Sequence, residues 1–304
     1  MKPAPVGYVR PGSLEEACRA LADDPEAKVL AGGQSLVPLL SMRLAAPSSL
    51  VDINALPGLA EVEVLAGPDG TDGGVRVGAL VRHADLLAHD GAARAQPLLR
   101  MALSHVAHAP IRNRGTTVGS LVHADAAAEM PAVLALLGGS VEVLSTRGAR
   151  TVAGADLVVG PLESSLAHDE IATSAWFPAL AAGQGAGFAE ISRRQGDYAL
   201  CGVAALVRLV DGYVVEARAA YLAVDDTPTV VDLLPALADG TDGTDGTDGA
   251  HLDAAADLAL AALSPCGDIH ATAQYRAHLA RVLTTRVVRE AVQHAGERGE
   301  GSAT

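Results

Sequence analysis

The segment Lys28-Val-Leu-Ala-Gly-Gly-Gln-Ser-Leu36 constrains the fold most, because an apolar strand pattern passes through two adjacent glycines straight into an apolar helix pattern. Such a turn exposes successive backbone N–H groups at a helix N-terminus, a nest that suits an anion such as phosphate. Ser35 is placed to cap the helix, expected over Leu36 to Leu44, and Ser49-Leu-Val-Asp-Ile53 supplies the next strand. Neither Gly-x-Gly-x-x-Gly nor Gly-Lys-[Ser/Thr] is present, so the usual dinucleotide and nucleoside triphosphate loops do not apply.

A second glycine-bearing run, Arg112-Asn-Arg-Gly-Thr-Thr-Val-Gly-Ser120, adds hydroxyls and small residues, and His123, Asp125 and Glu129 follow closely. This run has the chemistry to hold both a pyrophosphate and a ribose. His123-x-Asp125 has the spacing of a metal pair, but no third ligand accompanies it in sequence, so no metal is expected. His105 and His108 read as imidazoles complementing a helix C-terminus. No catalytic side chain is assigned.

The remaining pattern is mixed. Ser13 with Glu16 forms a capping box for a helix to about Ala22, and Val75 to Ala79 alternates as a strand. Helices are expected near His83 to Ala88, Pro97 to His105 and Pro131 to Leu137, the last stopped by Gly138-Gly139 before a strand at Val141 to Leu144. A domain boundary is placed after Pro178, with Ala179 to Gly187 as a connector. Ala199 to Val210 and Tyr213 to Val224 then form a hairpin turning at Asp211-Gly212. The Gly-Thr-Asp triplets of residues 240–249 lack the spacing of calcium-binding repeats and read as a flexible loop. Helices over Leu252 to Leu263 and Ala271 to His294 follow, then a polar tail from Glu297 to Thr304.

Composition narrows the partners. A chain of 304 residues points to two domains, and a net charge of −14 repels nucleic acid and anionic lipid. With only one tryptophan, five tyrosines and two phenylalanines, no stacking platform for single strands is available. Cys18, Cys201 and Cys266 lie too far apart in sequence to build an iron–sulfur or zinc centre alone. No stretch reaches the roughly 18 apolar residues of a spanning helix, and Met1 to Gly12 has no apolar leader core, so a cytoplasmic protein without a membrane span is expected.

Three motifs in order, Ala31-Gly-Gly-Gln-Ser-Leu36, Ile111-Arg-Asn-Arg-Gly-Thr-Thr-Val-Gly-Ser-Leu121 with His123, Asp125 and Glu129-Met-Pro131, and Arg193-Arg-Gln-Gly-Asp-Tyr-Ala199, resemble the FAD-binding medium subunit of the xanthine dehydrogenase and carbon monoxide dehydrogenase family. The likeness extends through Asp268-Ile-His270 to Arg289 and so spans nearly the whole chain. It implies an α+β fold: a vanillyl-alcohol-oxidase-type FAD-binding domain of two α/β subdomains over residues 1–178 and a smaller α+β domain over residues 179–296.

By the same resemblance, Lys28, Leu30, Ala31, Gly32, Gly33, Gln34, Ser35 and Leu36, with Thr116, Thr117, Gly119 and Ser120, match the loops that hold the FAD pyrophosphate. His123, Asp125 and Glu129 fall beside the ribose and adenine, while Leu166, Asp197 and Tyr198 approach the isoalloxazine. Val118 stands where a glycine is common and narrows that approach. Ala126 stands where a proline is common and loosens its loop, and Glu190 stands where many relatives carry a lysine near the flavin. The resemblance also implies partners: an iron–sulfur small subunit and a molybdopterin large subunit, in a heterotrimer or its dimer, with a small-molecule or protein electron acceptor. Two other readings stay open, a stand-alone flavoenzyme acting directly on a small molecule and a FAD-lacking scaffold.

Overall fold

Ser13 opens the first helix as its spacing requires: its hydroxyl accepts the Glu16 N–H at 3.2 Å, and the Glu16 carboxylate accepts the Gly12 N–H at 2.7 Å. In this computed structural model, which describes residues 2–67, 73–237 and 249–301, the first unit comprises β1 (Gly7–Val9), α1 (Leu14–Asp23), β2 (Lys28–Leu30), α2 (Leu36–Met42) and β3 (Ser49–Asp52). Its three strands are parallel in the order β1-β3-β2.

A second unit follows with β4 (Val62–Leu65), β5 (Gly74–Gly78), α3 (His83–Ala88), α4 (Asp90–Ala95), α5 (Pro97–Leu103), α6 (Ala109–Arg112), α7 (Thr117–His123), α8 (Glu129–Leu137), β6 (Ser140–Ser145) and β7 (Gly148–Ala153). The short pair β8 (Val158–Gly160) and β9 (Glu163–Ser164) precedes β10 (Ile171–Pro178), which inserts between β5 and β6 to give the antiparallel order β4-β5-β10-β6-β7. Apolar α8 is buried along nearly its whole length, which explains a run with little polar alternation.

The last unit is a four-stranded antiparallel sheet, β11 (Gln184–Ser192), β12 (Ala199–Val210), β13 (Tyr213–Leu222) and β14 (Thr229–Asp232), followed by α9 (Leu234–Leu237), α10 (Gly249–Ala262) and α11 (Ala273–Gly301). Both faces of this sheet are covered. Ala204 and Leu206 join the core shared with the preceding units, whereas Val203, Ala205 and Val207 join a second core under α10 and α11. A strand buried on both sides has no polar face, hence the apolar run of β12 from Ala199 to Val207, before Arg208 where burial falls off. Asp211 at φ 52° and Gly212 at φ 84° make the two-residue turn that the Asp-Gly pair predicts.

Two expectations need correction. The connector ends at Gly183: Gln184 to Gly187 already belongs to β11, because Gly185 and Gly187 lie directly against the backbone of α11. Residues 297–301 extend α11 rather than forming a tail, since the chain keeps helical hydrogen bonding beyond its last buried turn. The triplet tract lies outside the described residues except for Gly249, the first residue of α10. Among the described residues no helix is long and apolar enough to cross a membrane.

Candidate cofactor site

The two glycine-bearing loops, more than 80 residues apart in sequence, meet in space. A Cβ on Gly32 would lie 2.4 Å from the Arg114 carbonyl oxygen and 2.8 Å from the Gly115 Cα, a backbone approach only glycine permits. Gly33 has φ +73°, the left-handed turn that swings the chain from β2 into α2. Among the described residues, the N–H groups of Gly33, Gln34 and Ser35 make no hydrogen bond to protein. Ser35 does not cap α2 through its side chain; its backbone is already right-handed helical, so its hydroxyl is turned away from the capping position.

Opposite this nest, Thr116 caps α7 by accepting the Gly119 N–H at 3.1 Å, which leaves Gly119 as the close-packed residue of the first turn. His83 braces the loop from behind with Nδ1 3.3 Å from the Thr117 hydroxyl; burial, and then the Arg112 charge, push its pKa down to about 4, so the ring is neutral. The Val118 side chain is buried in the core. Ser120 and His123 lie further along α7, both half-buried.

Sequence reasoning missed the clamp that joins these loops. Arg82 donates to the Arg114 carbonyl at 2.7 Å and to Asn54 Oδ1 at 2.8 Å, and Asn54 donates in turn to the carbonyls of Ala31 at 2.8 Å and Leu30 at 3.2 Å. Asp52 orients Asn54; partial burial works against its charge, but hydrogen bonds from Tyr8 and Asn54 hold its carboxyl below the usual range. Asn54 follows the end of β3, where an Asx residue is a readable signal. Arg82 offers none, because its partners lie 28 and 32 residues away.

A second cluster forms where the last unit covers the second. The β11–β12 loop carries Asp197 and Tyr198, both exposed, and it rests on the second unit through Gly196, whose Cβ would lie 2.5 Å from the His108 ring. Tyr198 is 69% exposed, and its phenol pKa is raised, first by desolvation and then by the charges of Asp125 and Glu129. Ala126 does not leave its loop loose, because its carbonyl accepts the Ala223 N–H at 2.8 Å and Asp125 Oδ1 accepts the Ala127 N–H at 2.9 Å. Leu166 packs, half-buried, against the main core.

The imidazole reading also changes. α5 ends at Leu103, and His105 lies beyond it with its ring 5.2 Å from that of Phe188 and Nδ1 3.6 Å from Glu190 Oε1, so it faces β11 instead of a helix end. His108 is the residue preceding α6 and makes no side-chain cap. Among the described residues no cluster of His, Cys, Asp and Glu is fit to hold a metal ion.

Residues 4–180 match the family described as FAD binding domain in molybdopterin dehydrogenase, and residues 186–291 match the CO dehydrogenase flavoprotein C-terminal domain. The chain belongs to the FAD-binding medium subunits of the molybdenum hydroxylase family. It is 40% identical to the nicotine 6-hydroxylase medium subunit of Paenarthrobacter nicotinovorans, over 96% of this chain and 99% of that one. Identity to the carbon monoxide dehydrogenase medium chain of Afipia carboxidovorans is 31%, over 96% and 98%. A chain of quinoline 2-oxidoreductase from Pseudomonas putida 86 superposes with a TM-score of 0.88 at 39% identity, covering 97% of this chain and 99% of its own. FAD is therefore the cofactor of this oxidoreductase subunit, and the nest of free N–H groups faced by glycines fits a pyrophosphate.

Proposed function

We propose that this medium subunit relays electrons. Substrate is oxidised at a molybdenum centre in a large partner subunit, electrons cross iron–sulfur clusters in a small one, and this chain delivers them to a small-molecule or protein acceptor in the cytoplasm, the three forming a heterotrimer or its dimer. Bound FAD supplies reversible two-electron chemistry. The observation that carries the reading is the pair of loops stitched by Asn54 and Arg82. On this reading residues 28–36 and 116–120 hold the pyrophosphate, residues 123–129 flank the ribose and adenine, and Leu166, Asp197 and Tyr198 face the ring. Residues 1–178 form the flavin domain and residues 179–296 the covering domain. The cysteines support dependence on a partner's clusters: Cys18 and Cys201 are buried singly and Cys266 is exposed elsewhere.

The test is anaerobic reduction of the isolated chain. Dithionite should bleach its flavin, whereas an aldehyde or aromatic heterocycle should not; expression with the flanking genes should give a complex containing molybdenum and iron that the same organic substrates do reduce. Rapid bleaching of the isolated chain by an organic substrate would instead identify a stand-alone flavoenzyme.

The clamp can be tested separately. Arg82→Met removes two charge-assisted hydrogen bonds, each worth about 1.5–3 kcal/mol, and leaves the Arg114 carbonyl and Asn54 amide without their partner. FAD affinity should fall roughly 10- to 100-fold with the far-ultraviolet spectrum retained. Unchanged affinity in a fluorescence titration would remove the clamp from the cofactor's support.

A further inference from the structure

Of the six left-handed non-glycine residues among those described, three meet at the turn between α7 and α8. The carbonyl of Ala124, at φ 56°, accepts the N–H of Leu162, at φ 58°, at 3.0 Å; two residues on, the Ala126 carbonyl accepts the N–H of Ala223, at φ 59°, at 2.8 Å. An L-residue enters this conformation at a cost, and it stays there only where its surroundings over-determine it. For Ala223, which follows β13 in the last unit, the determining group is Arg276.

Arg276 lies in the first turn of α11 and is 6% exposed. One guanidinium nitrogen donates to the Ala223 carbonyl and, at 3.0 Å, to the Leu200 carbonyl; the other donates to Asp268 Oδ2 at 2.5 Å. Asp268 is itself held, its Oδ1 accepting the N–H groups of His270 at 2.7 Å and Ala271 at 2.9 Å. A planar fork backed by a carboxylate fixes two carbonyls of buried residues at once, which an ammonium on a flexible stem cannot do with the same geometry. The Arg276 bond pins the peptide on one side of the Ala223 Cα, and the Ala126 bond pins the peptide on the other, so the left-handed turn is set from both sides. The bond to Leu200, two residues after Tyr198, ties the same guanidinium to the base of the β11–β12 loop.

We propose that Arg276 is a positioning residue for the cofactor: it holds Ala223 in the conformation that keeps the Ala223 N–H on the Ala126 carbonyl, and this bond across the seam between the second and last units sets the 123–129 segment. The role rests on the proposed placement of the ribose and adenine beside that segment. Arg276 acts at one remove, through the backbone of Ala223.

Two readings on the full-length protein separate the link from its consequence. Hydrogen exchange followed by mass spectrometry, before FAD is added, should show the Ala223 amide of Arg276→Met exchanging about 10-fold faster or more than in wild type. FAD affinity, by fluorescence titration, should fall by about 10-fold or more in the same variant. Glycine takes the left-handed conformation without the penalty, so adding Ala223→Gly to Arg276→Met should recover most of that affinity, whereas Ala223→Gly alone should change it by less than about threefold. The loss of an arginine with a merely structural role would not be relieved by removing one methyl group elsewhere, so affinity that stays low in the double variant overturns the positioning role, as does unchanged exchange at Ala223. Faster exchange with unchanged FAD affinity also overturns it, and locates the fault in the placement of the ribose and adenine, not in the hold of Arg276 on Ala223. Arg276→Lys, which keeps the buried charge and a donor, should lose less than Arg276→Met on both readings, and it carries the same comparison with Ala223→Gly if circular dichroism shows the methionine variant unfolded.

Discussion

Gly33→Val is expected to fold and to lose its flavin. Gly33 is left-handed at φ +73°, and a Cβ there would press on Leu30 Cδ1 at 3.2 Å and Val37 Cγ2 at 3.3 Å. The conformation costs an L-residue about 1–2 kcal/mol, and more for a β-branched one. The chain relieves that strain by rotating the peptide planes between β2 and α2, which turns the free N–H groups out of their common direction. FAD affinity should drop at least 100-fold, roughly 2.7 kcal/mol or more, while circular dichroism keeps its wild-type shape. Gly119→Val should act similarly, because its Cβ would lie 2.5 Å from the Thr116 hydroxyl and displace the cap of α7. Full flavin content at unchanged affinity in either variant would reduce the loops to ordinary turns.

Gly185→Val should be the most damaging single change to the fold. A Cβ at this position would fall 2.1 Å from the Ala291 carbonyl and 2.2 Å from the Ala295 N–H, both backbone groups of α11 that have no alternative position. Overpacking in a core typically costs about 1–3 kcal/mol, and a collision with helix backbone exceeds that, so a loss of about 3 kcal/mol or more is expected. The melting midpoint should fall by roughly 6 °C or more. Gly296→Ala on the same helix has nothing within 4 Å of the added methyl and should be neutral or stabilising by up to about 1 kcal/mol. Equal melting points for Gly185→Val and wild type would mean that α11 does not rest on β11 as described.

Contrasts of this kind separate what was legible in the sequence from what was not. The Ser13–Glu16 box and the Asp211-Gly212 turn were readable because every partner lies within four residues, so local pattern and final structure coincide. Gly185 and Gly187 sit in an Ala/Gly-rich stretch whose composition suggests slack, although they serve the opposite end, the close contact of strand and helix; composition does not distinguish these uses of a missing side chain. β10 went unnoticed because it pairs with β5, almost 100 residues earlier, before it pairs with anything local. At the site, the glycine loops stood out because the flavoprotein resemblance rests on contiguous motifs. Asn54 and Arg82 hold those loops through single side chains that bond each other and reach backbone carbonyls in two separate segments, and no spacing rule reports such a bond.

The Asn54–Arg82 stitch ties the end of β2, the turn after β3 and the loop before α7 to one another. Two anion-binding loops joined in this way behave as a single mechanical body, so neither can drift without dragging the other. On the proposed reading, a substitution that displaces one loop is therefore felt at both ends of the pyrophosphate.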